Sequence, residues 1–385
     1  MNKKLLAAAV ASALAVPVTA SAQVAISGIF KVGISNISMG GTVTPGRAND
    51  SQIRVDDNSS RILFNVTEDL GGGLAAIGQL DLRFAPDQAG AAPANNPIGS
   101  GNTYVGLRST SWGTVSLGRW DLHYGKQPDD LATKAGALMA SSVSLMDYQL
   151  SSGANVAVAN ATRTANVIKW DSPNWGGLAL TAAYSTSPLA ASSEGDMGVA
   201  PSADGMGMNF AAAYTAANWQ VGASMWEAET EAVNTATTSL TANPRLEQSS
   251  QSFWGYMRFG GFKVGVGANT AELKNAGVVV SDRMTFTVPV SYTVGPNNFY
   301  LTYTMAGEDD AAQFANTATE ATMISAAYVY DLSKRTSVGI TYSMIDNDAN
   351  ANYNFFTGTS LGSPDAATGR GEDPTLIQFT LRHAF

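Results

Sequence analysis

Charged side chains are scarce in this chain, and several alternate with apolar residues. Only 14% of the 385 residues are Asp, Glu, Lys or Arg. Lys31 and Ser35, for example, alternate with Phe30, Val32 and Ile34. In a β-strand this period of two places the charged and the apolar side chains on opposite faces. Charges facing one another across a narrow aqueous gap create a field that orients dipolar solutes and discriminates between ions.

Two groups of residues are candidates for such a field. The group on predicted strands comprises Lys31, Arg61, Asp81, Arg83, Arg108, Arg119, Arg163 and Lys169. The group on the polar segment 121–161 comprises Asp121, Asp129, Asp130 and Asp147. Arg119 breaks the alternation of Val115 and Leu117, so an inward position for it requires a bend at Gly118. Our hypothesis is that Arg61, Arg83, Arg108 and Arg119 face the acidic segment.

Other chemistry has little support in the residues. The chain has two histidines, His123 and His383. No Ser or Cys near His123 suggests a nucleophile, and His383 lies on the lipid-facing side of the predicted last strand, so we expect no enzyme activity. The acidic run Glu308–Asp310 offers oxygen ligands for a divalent cation, but a solvated loop is the simpler interpretation. We find no phosphate-binding glycine loop and no metal-ligand spacing, and therefore expect no cofactor.

The first 22 residues have the pattern of a secretory signal peptide. Lys3 and Lys4 precede the apolar run 5–18, and Ala20-Ser21-Ala22 forms a small-residue cleavage site. Removing both lysines leaves 20 basic against 31 acidic residues, a net charge of −11. An acidic protein is a poor partner for nucleic acid. No later apolar stretch is long enough for a transmembrane helix.

Strand-like alternation continues to the end of the chain, with two kinds of connection between the strands. Short turns are predicted at 69–73, 111–113, 173–177, 216–218, 260–261, 294–297 and 331–335. Longer polar loops are predicted at about 39–58, 85–101, 121–161, 187–206, 229–249, 272–282, 307–320 and 346–374. Strict alternation of turns and loops, giving about sixteen strands, is typical of transmembrane β-barrels and not of soluble sandwiches.

A membrane environment explains the rest of the pattern. Unpaired backbone groups in hydrocarbon cost several kcal/mol, so the strand from Gln23 is expected to pair with the last strand, 375–385. An outward Arg or Lys at the midplane costs about 2–4 kcal/mol, so the charges are expected inside. Aromatic residues at strand ends suit the lipid–water interfaces; these are Trp170, Trp175, Tyr184, Tyr214, Trp219, Tyr292, Tyr328, Tyr330 and Tyr342.

Several segments, in order along the chain, resemble the general porins of proteobacterial outer membranes. They are Ser60-Arg61-Ile62-Leu63-Phe64, Thr67-Glu68-Asp69-Leu70-Gly71, 74–80, Val105-Gly106-Leu107, 113–119, 331–336 and Leu381-Arg382-His383-Ala384-Phe385. The resemblance implies a homotrimer of sixteen-stranded antiparallel barrels set in outer-membrane lipids and lipopolysaccharide. It implies that Arg119 lies in the lumen despite its strand parity. It also implies that the third loop, 121–161, folds inward to narrow each pore, and that the assembly machinery recognises Phe385.

This chain departs from that family's pattern in two places. The third loop has no Pro-Glu-Phe-Gly-type tip, which leaves the exact constriction residues open. Pro289 lies inside a predicted strand, where it removes a ladder hydrogen bond.

The function that we expect is passive diffusion of small hydrophilic solutes and ions through a water-filled channel, with a preference for anions. The alternative is an outer-membrane channel specific for sugars or organic acids, which inward aromatics such as Trp254 and Tyr256 would favour. The parity of their strand is ambiguous from the sequence. A soluble secreted binding protein is a further alternative.

Overall fold

A computed structural model describes most of the chain from residue 22 onward. The described residues are 22–41, 51–87, 99, 101–123, 134–146, 164–186, 188, 205–230, 246–311, 318–355 and 370–385. The predicted signal peptide, apart from Ala22, lies outside them. So do Asp129, Asp130, Asp147 and Arg163.

The described chain forms one antiparallel sheet that closes on itself. Its strands are β1 (Gln23–Gly41), β2 (Ser51–Asp57), β3 (Arg61–Gly71), β4 (Leu74–Arg83), β5 (Thr103–Ser109), β6 (Gly113–Trp120), β7 (Thr164–Asp171), β8 (Leu178–Ser185), β9 (Gly205–Thr215), β10 (Trp219–Thr230), β11 (Leu246–Phe259), β12 (Phe262–Asn275), β13 (Val278–Val294), β14 (Asn297–Ala306), β15 (Ala321–Asp331), β16 (Thr336–Asn347) and β17 (Glu372–Ala384). Strands β2 and β3 both pair with β1 and are the two halves of one interrupted barrel strand. Pairing of β1 with β17 closes the sixteen-stranded barrel, which confirms the predicted fold.

The two ends of the barrel differ as the sequence predicts, with two exceptions. Strand β2 occupies most of the second half of the predicted loop 39–58, which is therefore shorter than expected. All seven predicted short turns join consecutive strands at one end, which we call the short-turn end. At the other end, the predicted loop 272–282 is wrong, because β12 and β13 run through it to the two-residue turn Ala276-Gly277. Both turn residues have positive φ, 51° and 78°, the backbone that a tight hairpin requires.

The outer wall is apolar and carries aromatic rings near the short-turn end. Alternate residues along the strands, such as Ile34 and Phe379, are exposed on this wall, where lipid is the natural solvent. A chain of ring contacts links five residues across β11 to β15, with centroid separations from 4.4 to 6.4 Å. Its members are Phe259, Phe262, Tyr292, Phe299 and Tyr328. These rings lie at the height along the barrel where an aromatic girdle is expected to meet the membrane interface.

The closing seam is tight where the chain ends. Phe385 exchanges two backbone hydrogen bonds of 3.1 Å with Gly28, and its ring lies 5.9 Å from that of Phe30.

Pro289 lies inside β13, opposite Thr302 of β14. Its missing N–H falls where the β12–β13 ladder is locally interrupted. Among the described residues, no helix has the length and hydropathy needed to cross a membrane.

Candidate functional site: the inner wall of the barrel

Four basic residues form a ladder across neighbouring strands on the inner face. Lys31 of β1 lies opposite Arg382 of β17, and Arg61 of β3 lies opposite Arg83 of β4. Their neighbours along the strands, such as Phe30 and Leu381, are exposed on the outer wall. Directly opposed like charges are unfavourable in a sheet, so this arrangement concentrates positive potential on one side of the lumen.

Asp81 offsets part of that charge. Its carboxylate lies 3.3 Å from Arg83 Nη2 and 3.9 Å from Arg61 Nη1, and its side chain is almost fully buried. Arg83 also donates to Ser59 Oγ at 3.3 Å. One carboxylate therefore orients two guanidinium groups and leaves the pair with a net positive charge.

The interruption between β2 and β3 connects this ladder to the third loop. Asp57 accepts backbone hydrogen bonds of 2.9 Å from Ser59 and Ser60, which holds Ser59 at a positive φ of 75°. Asn58 Oδ1 then accepts from the backbone N–H of Leu138 at 3.2 Å. This irregular segment lies within or directly after the predicted loop 39–58, so its role was missed from the sequence.

The described part of the third loop, residues 134–146, lies inside the barrel. Ala137 N–H donates to Thr341 Oγ1 of β16 at 3.0 Å. Lys134 Nζ donates to Asn298 and Asp331 at 2.9 and 2.6 Å, close to the short-turn end. Apolar residues of this segment pack in one cluster with apolar side chains on the inner face of β14 to β17 and β1. Those contacts include Met139, Leu145, Tyr300, Met323, Val329, Ile345 and Leu376. The third loop thus covers this side of the wall, as its predicted inward fold requires.

His123 anchors the start of the same loop on another part of the wall. Its ring is fully buried, with Nδ1 2.8 Å from Ser224 Oγ and Nε2 2.9 Å from Ser250 Oγ and 3.3 Å from Asn269 Oδ1. These partners belong to β10, β11 and β12. Burial lowers the pKa of His123 to about 4, although the hydrogen bond with Asn269 opposes the shift. The ring is therefore neutral at pH 7 and acts as a structural tether.

Lys169 and an aromatic pair form a separate inward cluster on β5 to β7. Its ammonium lies 4.1 Å from the centre of the Trp120 ring, which stacks on Tyr104 with centroids 4.1 Å apart. The Asp171 carboxylate accepts a hydrogen bond from the same ammonium. A sheet register shift separates Gly118, with φ 149°, from Trp120. Arg119 lies within this irregular stretch and has a partly buried side chain.

Arg108 lies far along the wall from Asp121, which is the acidic third-loop candidate within the described residues. It is opposite Thr114, one residue pair from the short turn 110–112. Asp121 follows β6 at the other end, beyond Arg119, which is opposite Thr103. Five residues of strand separate Thr103 from Arg108, roughly 17 Å. We therefore assign Arg108 to the rim at the short-turn end.

Further inward residues were missed or left undecided by the sequence. Arg54, in the predicted first loop, pairs with Asp56 at 2.6 Å, and its Nη2 lies 3.8 Å from Met139 Sδ. On β11, Phe253 and Met257 are exposed on the outer wall by 57% and 52%. Trp254 and Tyr256 therefore point inward, which resolves the ambiguous parity.

The acidic run Glu308–Asp310 contains a residue with a structural role. Asp309 accepts hydrogen bonds from Ser281 Oγ at 2.6 Å and from the backbone N–H groups of Asp282 and Ala311 at 2.9 and 3.0 Å. It thereby fastens the loop after β14 to β13. Among the described residues, no group of three His, Asp or Glu side chains is arranged to hold a metal ion.

Comparison with known proteins agrees with this architecture. Residues 7–350 match the family model described as Gram-negative porin. The chain belongs to the Gram-negative porin family. This porin is 28% identical over 197 residues to an outer membrane porin protein of Bordetella pertussis, and the match covers 49% of each chain. The match therefore spans about half the length of that relative. Membership places the barrel in the outer membrane, within a family of non-enzymatic channels, as predicted.

Solved structures share the fold at low sequence identity. An anion-selective porin from Comamonas acidovorans superimposes with a TM-score of 0.71 at 21% identity, covering 95% of this chain and 100% of that one. A trimer form of OmpT from Vibrio cholerae gives 0.63 at 15% identity, covering 95% and 100%. OmpF from Salmonella typhi gives 0.60 at 14% identity, covering 94% and 97%. These similarities establish the sixteen-stranded barrel architecture of this porin.

Proposed function

We propose that this porin is a passive diffusion channel for small hydrophilic solutes and that it prefers anions. The observation that carries the anion preference is the basic ladder of Lys31, Arg61, Arg83 and Arg382 on the inner wall. The net charge of the whole chain is −9. Ion preference depends on the local potential at the narrowest point, where low-dielectric walls focus the field.

The third loop supplies the other side of the proposed constriction. Its segment 134–146 packs on β14 to β17 and β1, and Asn58 links it to the strand that carries Arg61. The aqueous path then runs between this loop and the wall formed by the basic ladder and Lys169. The candidates outside the described residues, Asp129, Asp130, Asp147 and Arg163, and also Asp121 and Arg119, remain predictions for this path.

Ion selectivity in planar bilayers tests the proposal. With a tenfold KCl gradient across wild-type channels, we expect a reversal potential whose sign shows that chloride permeates more easily than potassium. In the Arg61→Gln/Arg83→Gln variant, Asp81 loses both cationic neighbours, so the reversal potential should shift toward cation preference. Lys274→Gln is the matched control, because Lys274 pairs with Glu272 near the tip of the β12–β13 hairpin. Cation preference in wild type, or an equal shift in both variants, would refute the proposal.

The assembly and processing of this porin are part of the same proposal. A matched OmpT structure from Vibrio cholerae is a trimer form, and we propose a homotrimer in contact with outer-membrane lipids and lipopolysaccharide. We also propose signal-peptide cleavage after Ala22 and recognition of Phe385 during assembly. Mass determination of the purified protein tests the cleavage site, and its mass in mild detergent tests the trimer.

A channel specific for sugars or organic acids is the second candidate. The observation in its favour is that Trp254 and Tyr256 point inward. Liposome swelling with solutes of graded size separates the two functions. General diffusion predicts rates that fall smoothly with size, whereas a specific channel predicts one solute that enters far faster than others of its size.

A further inference from the structure

We propose that Arg258, Lys263 and Tyr256 form a docking site for small carboxylate anions at the short-turn mouth of the channel, a proposal that rests on the anion-conducting function above. The site lies on β11 and β12, away from the basic ladder of β17, β1, β3 and β4. It contains two cations and one aromatic ring whose positions the sheet determines.

The strand register brings the two cations together. Arg258 and Lys263 are directly opposed in the β11–β12 pair, one step from the Gly260-Gly261 turn. Such like-charged pairs are unfavourable unless negative charge or an aromatic face compensates. The Tyr256 ring supplies the aromatic face: its centre lies 4.6 Å from the Arg258 guanidinium carbon and 4.5 Å from Lys263 Nζ. Both distances are within the range of cation–π attraction.

The strand register fixes the neighbours of Tyr256 on the inner wall. Trp254, two residues before Tyr256 on the same face, lies over Gly222, where a Cβ would approach its Cζ2 to 2.3 Å. The Trp254 indole N–H donates to Gln220 Oε1 at 3.3 Å, and Gln220 is the cross-strand neighbour of Tyr256 on β10. On β12, the residue opposite Tyr256 is Gly265, which has no side chain. Tyr256 therefore lies between a hydrogen-bonded neighbour on β10 and an open position on β12.

A carboxylate is the ligand that this chemistry fits best. A guanidinium donates two parallel hydrogen bonds to the two oxygens of a carboxylate, and an ammonium adds a point charge. Arg258 is exposed at the mouth, so a solute can reach it from the aqueous side. The site would collect organic acids at the periplasmic side, which is the side of short turns in bacterial barrels.

Succinate inhibition of chloride current in planar bilayers tests the site. Wild-type channels should show a saturable fall in chloride conductance as succinate is added to both compartments. In Arg258→Gln/Lys263→Gln, the half-inhibiting concentration should rise by about tenfold or more, since each charged hydrogen bond removed is worth at least that factor. The charge-conserving Arg258→Lys/Lys263→Arg variant should remain within about threefold of wild type, which shows that folding is intact.

The basic-ladder variant locates the effect. If Arg61→Gln/Arg83→Gln removes succinate inhibition and Arg258→Gln/Lys263→Gln leaves it unchanged, anions bind at the ladder and the docking site is refuted, while the proposed function stands. Absence of succinate inhibition in an open, anion-preferring wild-type channel also refutes the docking site alone. Failure of wild type to conduct anions refutes the proposed function and the site together.

Discussion

Acidification should weaken the attachment of the third loop to the wall through His123. The neutral ring is held by Ser224, Ser250 and Asn269 in a fully buried position. Burial lowers its pKa from 6.5 to about 4 in the folded protein. Between these values the unfolded chain binds the proton more strongly, so stability falls as the pH drops from 6.5 to 4 and levels off below 4. A shift of this size corresponds to a loss of about 3 kcal/mol.

Urea titration of the barrel in lipid vesicles, followed by tryptophan fluorescence from pH 7.5 to 3.5, measures this loss. His123→Asn removes the titrating group, so its free energy of unfolding should depend less on pH than that of wild type across the same window. At pH 7 the variant should be about 1–3 kcal/mol less stable, because buried hydrogen-bond partners of the ring are left unsatisfied.

The other histidine provides the matched control. His383 is exposed, and its Nδ1 lies 2.9 Å from Thr336 Oγ1, so His383→Asn replaces a histidine without touching the attachment of the third loop. Carboxylates that titrate in this window contribute equally to all three proteins and cancel in the comparison. Equal pH dependence in wild type and His123→Asn would refute the reasoning.

Two other contacts also give measurable expectations. Gly222→Ala places a methyl group against the Trp254 indole, and the resulting strain should destabilise the barrel by about 1–3 kcal/mol in the same urea titration; stability equal to wild type would show that the indole moves freely. Lys134→Gln removes the ion pair with Asp331, in which both side chains are partly exposed, so the cost should be about 0.5–1 kcal/mol. Single-channel records should show more frequent closures in this variant at low salt, and the difference from wild type should shrink in 1 M KCl because salt screens the pair; a difference independent of salt would contradict the ion-pair explanation.

Local patterns in the sequence were sufficient for the barrel. Alternation with period two gives each strand an outer and an inner face, and residues such as Ile34 and Phe379 lie on the outer wall as predicted. Six of the seven short turns contain Gly, Pro or Asn and the seventh, 331–335, contains Asp and Ser; all of these residues have strong local preferences for turns. Pairing of β1 with β17 followed from the cost of an open edge in hydrocarbon.

Local patterns failed where strands extend beyond the length needed to cross the membrane. Ala276-Gly277 was hidden in a segment that proved to be two strand ends, so the predicted loop 272–282 does not exist. Arg54 was hidden in the same way by the predicted first loop. Strand ends beyond the membrane do not need one apolar face toward lipid, so the alternation that marks a membrane strand is lost there and only pairing with neighbours reveals them.

The sequence by itself determined the closed barrel, the short turns at one end and long loops at the other, and the apolar outer wall. Each of these follows from the chemistry of a few adjacent residues. Only the tertiary structure decided which inner residues meet. The apolar cluster around Met139, the tether at His123 and the grouping of Arg258 with Lys263 all join residues from different strands or loops. Such contacts depend on the register of the whole sheet and on the path of the third loop across the lumen, and no local pattern contains that information.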